Sequence, residues 1–307
     1  MLIVEIYFIS IVNKIFNTKL DYSMQLEKTF CKFKTRINKV ADIIFYKKYT
    51  YIHRLLVLIK IFDKVIYRQL WHKRTIPIII INFNRLTDIE RLVDFLLNRR
   101  HTNIIIIDNN SDYPPLLEYY DKIKERVDVQ RMNKNWGHMV LWKNRKLYEK
   151  YCTGYYIVTD SDIIPNENLP ANYLSTMIKY LNRNSNITKV GFALQIDDIP
   201  ETFKLKAQVL NWEEKYWKNE IKRNVFNAFI DTTFALYLPR YDYNENDFLN
   251  AIRLGGDFCS KHGGWYINHE DLTTEEEYYF KTSNESNSWK MNSIGNLILT
   301  RESESYM

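Results

Sequence analysis

A chain of 307 residues that is 46% hydrophobic and 15% aromatic has the apolar material for one large domain with an appendage, which excludes a disordered or low-complexity protein. Its 3 cysteines, Cys31, Cys152 and Cys259, are widely spaced and form no C-x-x-C, which excludes a disulfide scaffold or a cysteine-ligated zinc site and fits a reducing, cytoplasmic compartment. The net charge of +6 is uneven: up to Thr75 there are 15 Lys or Arg against 5 Asp or Glu, a local +10, which leaves the rest at −4.

The opening run, "MLIVEIYFISIVNKIF", is broken by Glu5 and is shorter than the roughly 20 apolar residues that cross a bilayer. It also lacks a basic leader and a small-residue cleavage site, so no signal peptide is expected. From Asn13 to Trp71 the pattern is helical, with Ile52, Leu55, Leu56, Ile59, Phe62, Val65 and Ile66 at steps of three and four. Residues 1–74 are therefore read as a basic helical extension. Its amphipathic helix either packs on the main domain or makes a peripheral contact with a membrane surface or a partner.

At "RTIPIIIINFNRLTDIERLVDFLLNRR" the texture changes to a continuous apolar run, Ile76 to Ile81, then a polar loop and an amphipathic helix. The pattern repeats in "NIIIIDNNS" and "YPPLLEYYDKIKER". "VDVQRMN" follows as a third strand, "HMVLWKNRKLYEKY" as a helix, "YYIVTDSD" as a fourth strand, and "LPANYLSTMIKYL" as a further helix. Continuous β-branched runs alternating with helices indicate strands buried on both faces, hence a mostly parallel α/β sheet. Ligands in such sheets bind beyond the carboxyl ends of the strands. The informative polar residues are therefore Asn82, Asn84 and Arg85, then Asp108, Asn109, Asn110 and Ser111, then Asn133 and Asn135, and finally Asp160 and Asp162.

An extended chain puts Asp160 and Asp162 on one face, and two carboxylates so placed repel unless water or a cation separates them. Their hard oxygens suit Mg2+, Mn2+ or Ca2+. Ile164 and the missing glycine exclude an EF-hand loop. The plain alternative is a polar strand end and a turn at Pro165. No G-x-G-x-x-G follows the first strand and no G-x-x-x-x-G-K-[ST] occurs, which disfavours a dinucleotide site and a P-loop. A phosphate site without a glycine cradle needs another positive charge, and a divalent ion on Asp160 and Asp162 supplies it. Asp108 either accepts hydrogen bonds from a nucleobase or ribose, or caps the turn through Asn110 or Ser111.

"PIIIINFNR", "IIIIDNNS", "NKNWG" and the D-x-D at the end of the fourth strand together resemble a GT-A-fold, family-2-type glycosyltransferase over roughly residues 75–280. The resemblance implies a Rossmann-like GT-A domain over 75–307, with a nucleotide-binding half at 75–165 and an acceptor-binding half at 166–307. It implies a nucleotide-diphospho-sugar donor, UDP- or GDP-linked, a hydroxyl acceptor on a glycan, a lipid or a protein-linked sugar, and Mn2+ or Mg2+. Carried onto this chain, Asp108 holds the base or ribose, Asn82 and Arg85 line the same pocket with Asn110 and Asn135, and Asp160 and Asp162 are metal and ribose ligands. His262 and His269 are candidates for a further metal ligand.

The second half departs from the usual family pattern. The catalytic base is open between Glu270, beside Asp271, and the run Glu275, Glu276 and Glu277, with Glu276 the foremost of the three. Asp231 is a further candidate, because an ionised carboxylate inside the strand-like run "FNAFIDTTFALY" is costly to bury unless it is bonded or faces a pocket. Trp265 and Tyr266, after two glycines, suit an aromatic wall against a sugar, or else are core residues at a loop base. Among competing functions, a sugar-phosphate nucleotidyltransferase would need a glycine-rich loop and a lysine after the first strand, which "NFNRLTD" lacks. A non-catalytic glycan-binding relative would show no donor turnover. Nucleic acid is not an expected partner, because no RNP, zinc-finger or helix-turn-helix signature accompanies the basic quarter.

Overall fold

The computed structural model describes residues 63–283, so most of the expected N-terminal helix and Cys31 lie outside the described residues. Contacts divide the chain into Met1–Leu56 and Val57–Met307, and all described residues belong to the second unit.

Helix α1 (Lys64–Trp71) starts where the Asp63 side chain accepts hydrogen bonds from the backbone of Val65 and Ile66. It buries Ile66 and Gln69. The Gln69 amide donates to Tyr155 O at 2.9 Å and accepts from Tyr155 N at 2.8 Å, which imitates a strand pairing. The approach is tight enough that a Cβ on Gly154 would lie 2.3 Å from Gln69 Oε1. Charge alone assigns this helix to the extension, yet it is fastened to the sheet.

Strands β1 (Ile78–Asn82), β2 (Ile104–Asp108), β3 (Asp128–Arg131) and β4 (Tyr156–Asp160) are parallel, in the spatial order β3-β2-β1-β4. The apolar runs are continuous because the sheet separates two cores. Ile78 and Ile80 enter one with Ile104 and Ile106, while Ile79 and Ile81 enter the other with Ile105 and Ile107. Each fully buried isoleucine contributes about 1.5–3 kcal/mol relative to exposure. Helices α2 (Thr87–Asn98) and α3 (Pro114–Ile123) cover the first face. The single helix expected over "HMVLWKNRKLYEKY" is two, α4 (Val140–Lys143) and α5 (Arg145–Tyr151), and both pack on the second face. Asn144 separates them: its backbone is extended and its side chain caps α5 by accepting from Leu147 N.

Beyond β4 the sheet becomes mixed. After the short β5 (Ile163–Pro165) and α6 (Tyr173–Arg183) come β6 (Lys189–Phe192), α7 (Lys206–Glu214), β7 (Glu220–Lys222), β8 (Val225–Asn227), β9 (Ala235–Tyr237) and β10 (Ala251–Leu254). They extend the sheet as β4-β9-β6-β10-β8-β7, with β9 antiparallel to both neighbours and β6 parallel to β10. β11 (Ser260–His262) pairs antiparallel with β5, and α8 (Thr274–Thr282) follows. Pro165 ends β5 rather than opening a turn directly after the aspartates. The run "FNAFIDTTFALY" is likewise not one strand. It is β8, an irregular segment 228–234 and β9, because side chains from neighbouring strands capture the backbone between them.

Strand register sets the position of the site. Asn82 is level with Asp108, and Ile81 is level with Asp160, so the polar ends of β1, β2 and β4 form one row.

Candidate active site

At the β1 and β2 end of that row the polar groups are linked to one another. Asn82 Nδ2 donates to Arg85 O at 3.0 Å and to the Tyr120 hydroxyl at 2.8 Å, and that hydroxyl donates to Asp108 Oδ2 at 3.0 Å. The other Asp108 oxygen accepts from Ser111 N at 3.0 Å, so this fully buried carboxylate caps its own turn. Arg131 Nε stands 3.5 Å from it. Among the described residues Asn82 Oδ1 is buried without a partner. Asn110 is exposed and left-handed at φ 66°, a conformation that asparagine tolerates. Asn135 Oδ1 accepts from Gly137 N and shapes the loop after β3.

The carboxylate pair lies beside this rim. Thr232 Oγ1 donates to Asp160 Oδ2 at 2.5 Å, and Asp160 N donates to Thr232 O at 3.0 Å. Asp162 Oδ2 is 3.6 Å from His262 Nδ1 and 3.7 Å from Arg85 Nη2. Burial raises the Asp160 carboxyl well above its ordinary range, and the adjacent Asp162 charge adds to the rise. Burial acts on Asp162 in the same direction, but His262 and Arg85 outweigh it and hold that group below the ordinary range. The two carboxyls are thus pushed in opposite directions, as expected when two like charges share a site.

The C-terminal elements complete the enclosure. Gly263 N donates to Asp162 O at 2.6 Å, and a Cβ on Gly263 would fall 2.4 Å from Asp88 Oδ2. A Cβ on Gly264 would meet His262 Cε1 at 3.0 Å. The two glycines let the loop after β11 pass between Asp88, Asp162 and His262. The His262 ring stacks on Trp265 at 4.8 Å, which leaves its buried Nδ1 without a hydrogen-bond partner among the described residues. Arg85 lies 4.1 Å over the Tyr279 ring of α8 and 3.4 Å from Asp88. Burial opposes the Arg85 charge, yet Tyr279, Asp162 and Asp88 together raise its pKa.

Two buried cations grip the segment that carries Asp231. Lys189 on β6 donates to Asp231 O at 2.8 Å and to the Tyr237 hydroxyl at 3.1 Å, with its ammonium 3.7 Å over the Phe248 ring. Arg253 on the adjacent β10 donates to Phe229 O at 2.9 Å and pairs with Glu213 at 2.6 Å. Thr232 of the same segment holds Asp160, so this clamp extends to the carboxylate pair. Asp231 directly precedes Thr232 in the chain, and its charge adds a smaller push to the rise of Asp160.

The other candidates lie elsewhere. Glu276 is engaged in a capping box with Thr273 at the start of α8, accepting from its N at 2.7 Å and its hydroxyl at 2.8 Å. Glu270 is exposed. His269 stacks on Phe203 and Phe280. Trp265 is only 2% exposed, so it backs His262 rather than forming an open wall, and the Tyr266 hydroxyl bonds Asp198. Asp88, Tyr279, Lys189 and Arg253 join the site without a local sequence signal: each reads as an ordinary helix or strand residue until its partner is known.

The donor set of Asp160, Asp162 and His262 fits a hard divalent cation, with an orphaned buried imidazole nitrogen beside a carboxylate oxygen. Among the described residues no group of three or more His, Cys, Asp or Glu side chains, this trio included, is already arranged to hold a metal. Glycosyl transferase family 2 matches residues 78–246, more than half of the chain. A search of the curated proteins found no match. Among solved structures, the mannosyltransferase PcManGT from Pyrobaculum calidifontis, in complex with GDP-Man and Mn2+, is 11% identical with a TM-score of 0.40, over 79% of this chain and 73% of that one. The TarS 1-349 structure from S. aureus is 16% identical with a TM-score of 0.30, over 42% of this chain and 39% of that one.

Proposed function

The chain belongs to glycosyl transferase family 2, with the GT-A-type α/β domain described above, and on that premise we propose that it moves a sugar from a UDP- or GDP-linked donor to a glycan hydroxyl with the help of Mn2+ or Mg2+. The observation that carries this reading is the half-buried Asp160 beside the buried Asp162, with a His262 nitrogen that has no hydrogen-bond partner among the described residues 3.6 Å from Asp162. Asp162 and His262 would hold the cation and Asp160 would assist through it or through the ribose. When bound, the cation neutralises charge on the departing nucleoside diphosphate.

The chain's own groups do the rest. Arg85, held in its charged form, lies at the edge of the carboxylates, where it complements diphosphate oxygens. The row Asn82, Asp108 and Asn110, with Asn135 behind it, shapes the nucleoside side. Asp231, held by its backbone and next to the Thr232 that bonds Asp160, takes the proton from the acceptor hydroxyl. Glu276 is spent on its helix cap and Glu270 is exposed, which supports Asp231 over both.

The test is thermal stability and donor hydrolysis with UDP- and GDP-sugars, with Mn2+ or with EDTA. A donor at 100 times its dissociation constant adds about 2.7 kcal/mol to stability. The expected result is stabilisation and turnover only with the metal, both lost in Asp162→Ala. Full turnover in EDTA, or in Asp162→Ala, contradicts the proposal.

A further inference from the structure

At the end of the sheet opposite the carboxylates, where β1 and β2 begin, the chain around α1, the end of α2 and the start of α6 enclose a cleft of about 810 Å3. Among the described residues His72, Lys73, Arg74, Arg99 and Arg100 line it, and no Asp or Glu does. The contacts that hold these side chains neutralise no charge: Lys73 donates to Leu70 O, and Arg99 donates to Glu167 O and Leu169 O, all of them backbone carbonyls. Arg74 and Arg100 are exposed. The field reaches the interior, where burial first, and then Arg74 and Arg99, press the His101 imidazole down to about 4.

The neighbouring surface carries exposed aromatic rings as well as charge. Trp71, at the cleft edge, is 71% exposed and Tyr67 one turn earlier is 51% exposed, their rings 6.2 Å apart. Lys64 and Arg68 are exposed on the same helix, so the outer side of α1 alternates cation and aromatic ring. Residues 63–75 contain Lys64, Arg68, Lys73 and Arg74 against Asp63 alone. A free phosphate would be served by the cations and would leave the two rings in water. Aromatic side chains at headgroup level beside a basic cluster are what an anionic bilayer surface accommodates.

We propose that this end of the domain docks on an anionic membrane surface, with Arg74, Arg100 and their neighbours on lipid phosphates and Trp71 and Tyr67 at headgroup depth. Docking here leaves the carboxyl ends of the strands, where the donor site lies, on the aqueous side. The occupant is a headgroup surface at the opposite end of the sheet from the carboxylates and not the sugar donor, so the inference stands apart from the glycosyl-transfer reading.

The experiment is co-sedimentation of the full chain with vesicles of phosphatidylcholine alone and of phosphatidylcholine mixed with phosphatidylglycerol. The variants are Trp71→Ser and the double substitution Arg74→Gln with Arg100→Asn, asparagine being chosen because Arg100 has a φ of 61°. Binding only to the mixed vesicles is expected, weakened about fivefold per neutralised cation and so about 25-fold in the double variant. Trp71→Ser should weaken it further, with donor hydrolysis unchanged in both. Undiminished vesicle binding by the double variant would put the affinity elsewhere in the chain and overturn the proposal. So would a wild type that ignores both vesicles while inorganic phosphate raises its melting temperature and not that of the double variant, which marks a small-anion site.

Discussion

At the residue scale, Asp231 and Lys189 divide a task between charge and placement. Asp231→Asn keeps the side-chain shape and the backbone carbonyl that Lys189 grips, and removes only the charge. It is expected to lower sugar transfer about 10²- to 10⁴-fold, the usual contribution of a positioned base, while leaving metal-dependent nucleotide binding intact. Steady-state transfer rates and donor thermal shifts measure the two effects separately, and a comparable loss in Glu270→Gln instead would move the base to the C-terminal loop. Lys189 has no exposed surface, and burial pushes its ammonium down to about 7, offset only in part by Asp231. The unfolded chain keeps that proton to about pH 10.4, so between those values the unfolded state binds more protons and stability must rise with pH. The cost of the buried charge is complete below about pH 7 and fades above it. Denaturant unfolding of wild type and Lys189→Met at several pH values between 7 and 9.5 should therefore show a stability difference that shifts in favour of wild type by up to about 1.4 kcal/mol per pH unit. A pH-independent difference would mean that Lys189 keeps its proton in the folded state throughout this range.

At the element scale, the site is closed by a helix that belongs to neither half of the sheet. Glu275, in the first turn of α8, accepts from Leu86 N at 2.9 Å and from the Thr87 hydroxyl at 2.7 Å, which ties α8 to the start of α2. The same helix brings Tyr279 under Arg85. Glu275→Ala is expected to cost about 1 kcal/mol, because the contact is partly exposed. In a domain of this size that lowers the melting temperature by roughly 2–4 °C. The more telling consequence is a raised KM for the donor with kcat little changed, since Arg85 loses its support while the carboxylates keep theirs. Thr273-x-x-Glu276 fits a capping box in the sequence, whereas nothing local to Glu275 shows that it ties two helices.

At the scale of the whole molecule, charge and contacts draw different boundaries. The basic composition runs to Thr75, but contacts divide the chain after Leu56, and α1 is fastened to Tyr155 and Arg240 of the sheet domain. A chain beginning at Val57 is expected to keep metal-dependent donor hydrolysis, whereas one beginning after Thr75 should lose stability with the buried Gln69 contacts, as melting and hydrolysis of the two truncations would show. What the sequence determined by itself is the first half of the sheet and the carboxylate pair at its end. Continuous runs such as Ile78 to Ile81 can only be strands covered on both faces, and the residues that follow such strands must meet whatever binds there. Tertiary structure alone decided which of two histidines faces Asp162, that Thr232 holds Asp160, and that Lys189 and Arg253 hold the segment between them. Those choices depend on contacts between residues distant along the chain, such as Asp160 with Thr232 and Asp162 with His262, and local patterning carries no information about which distant partner arrives.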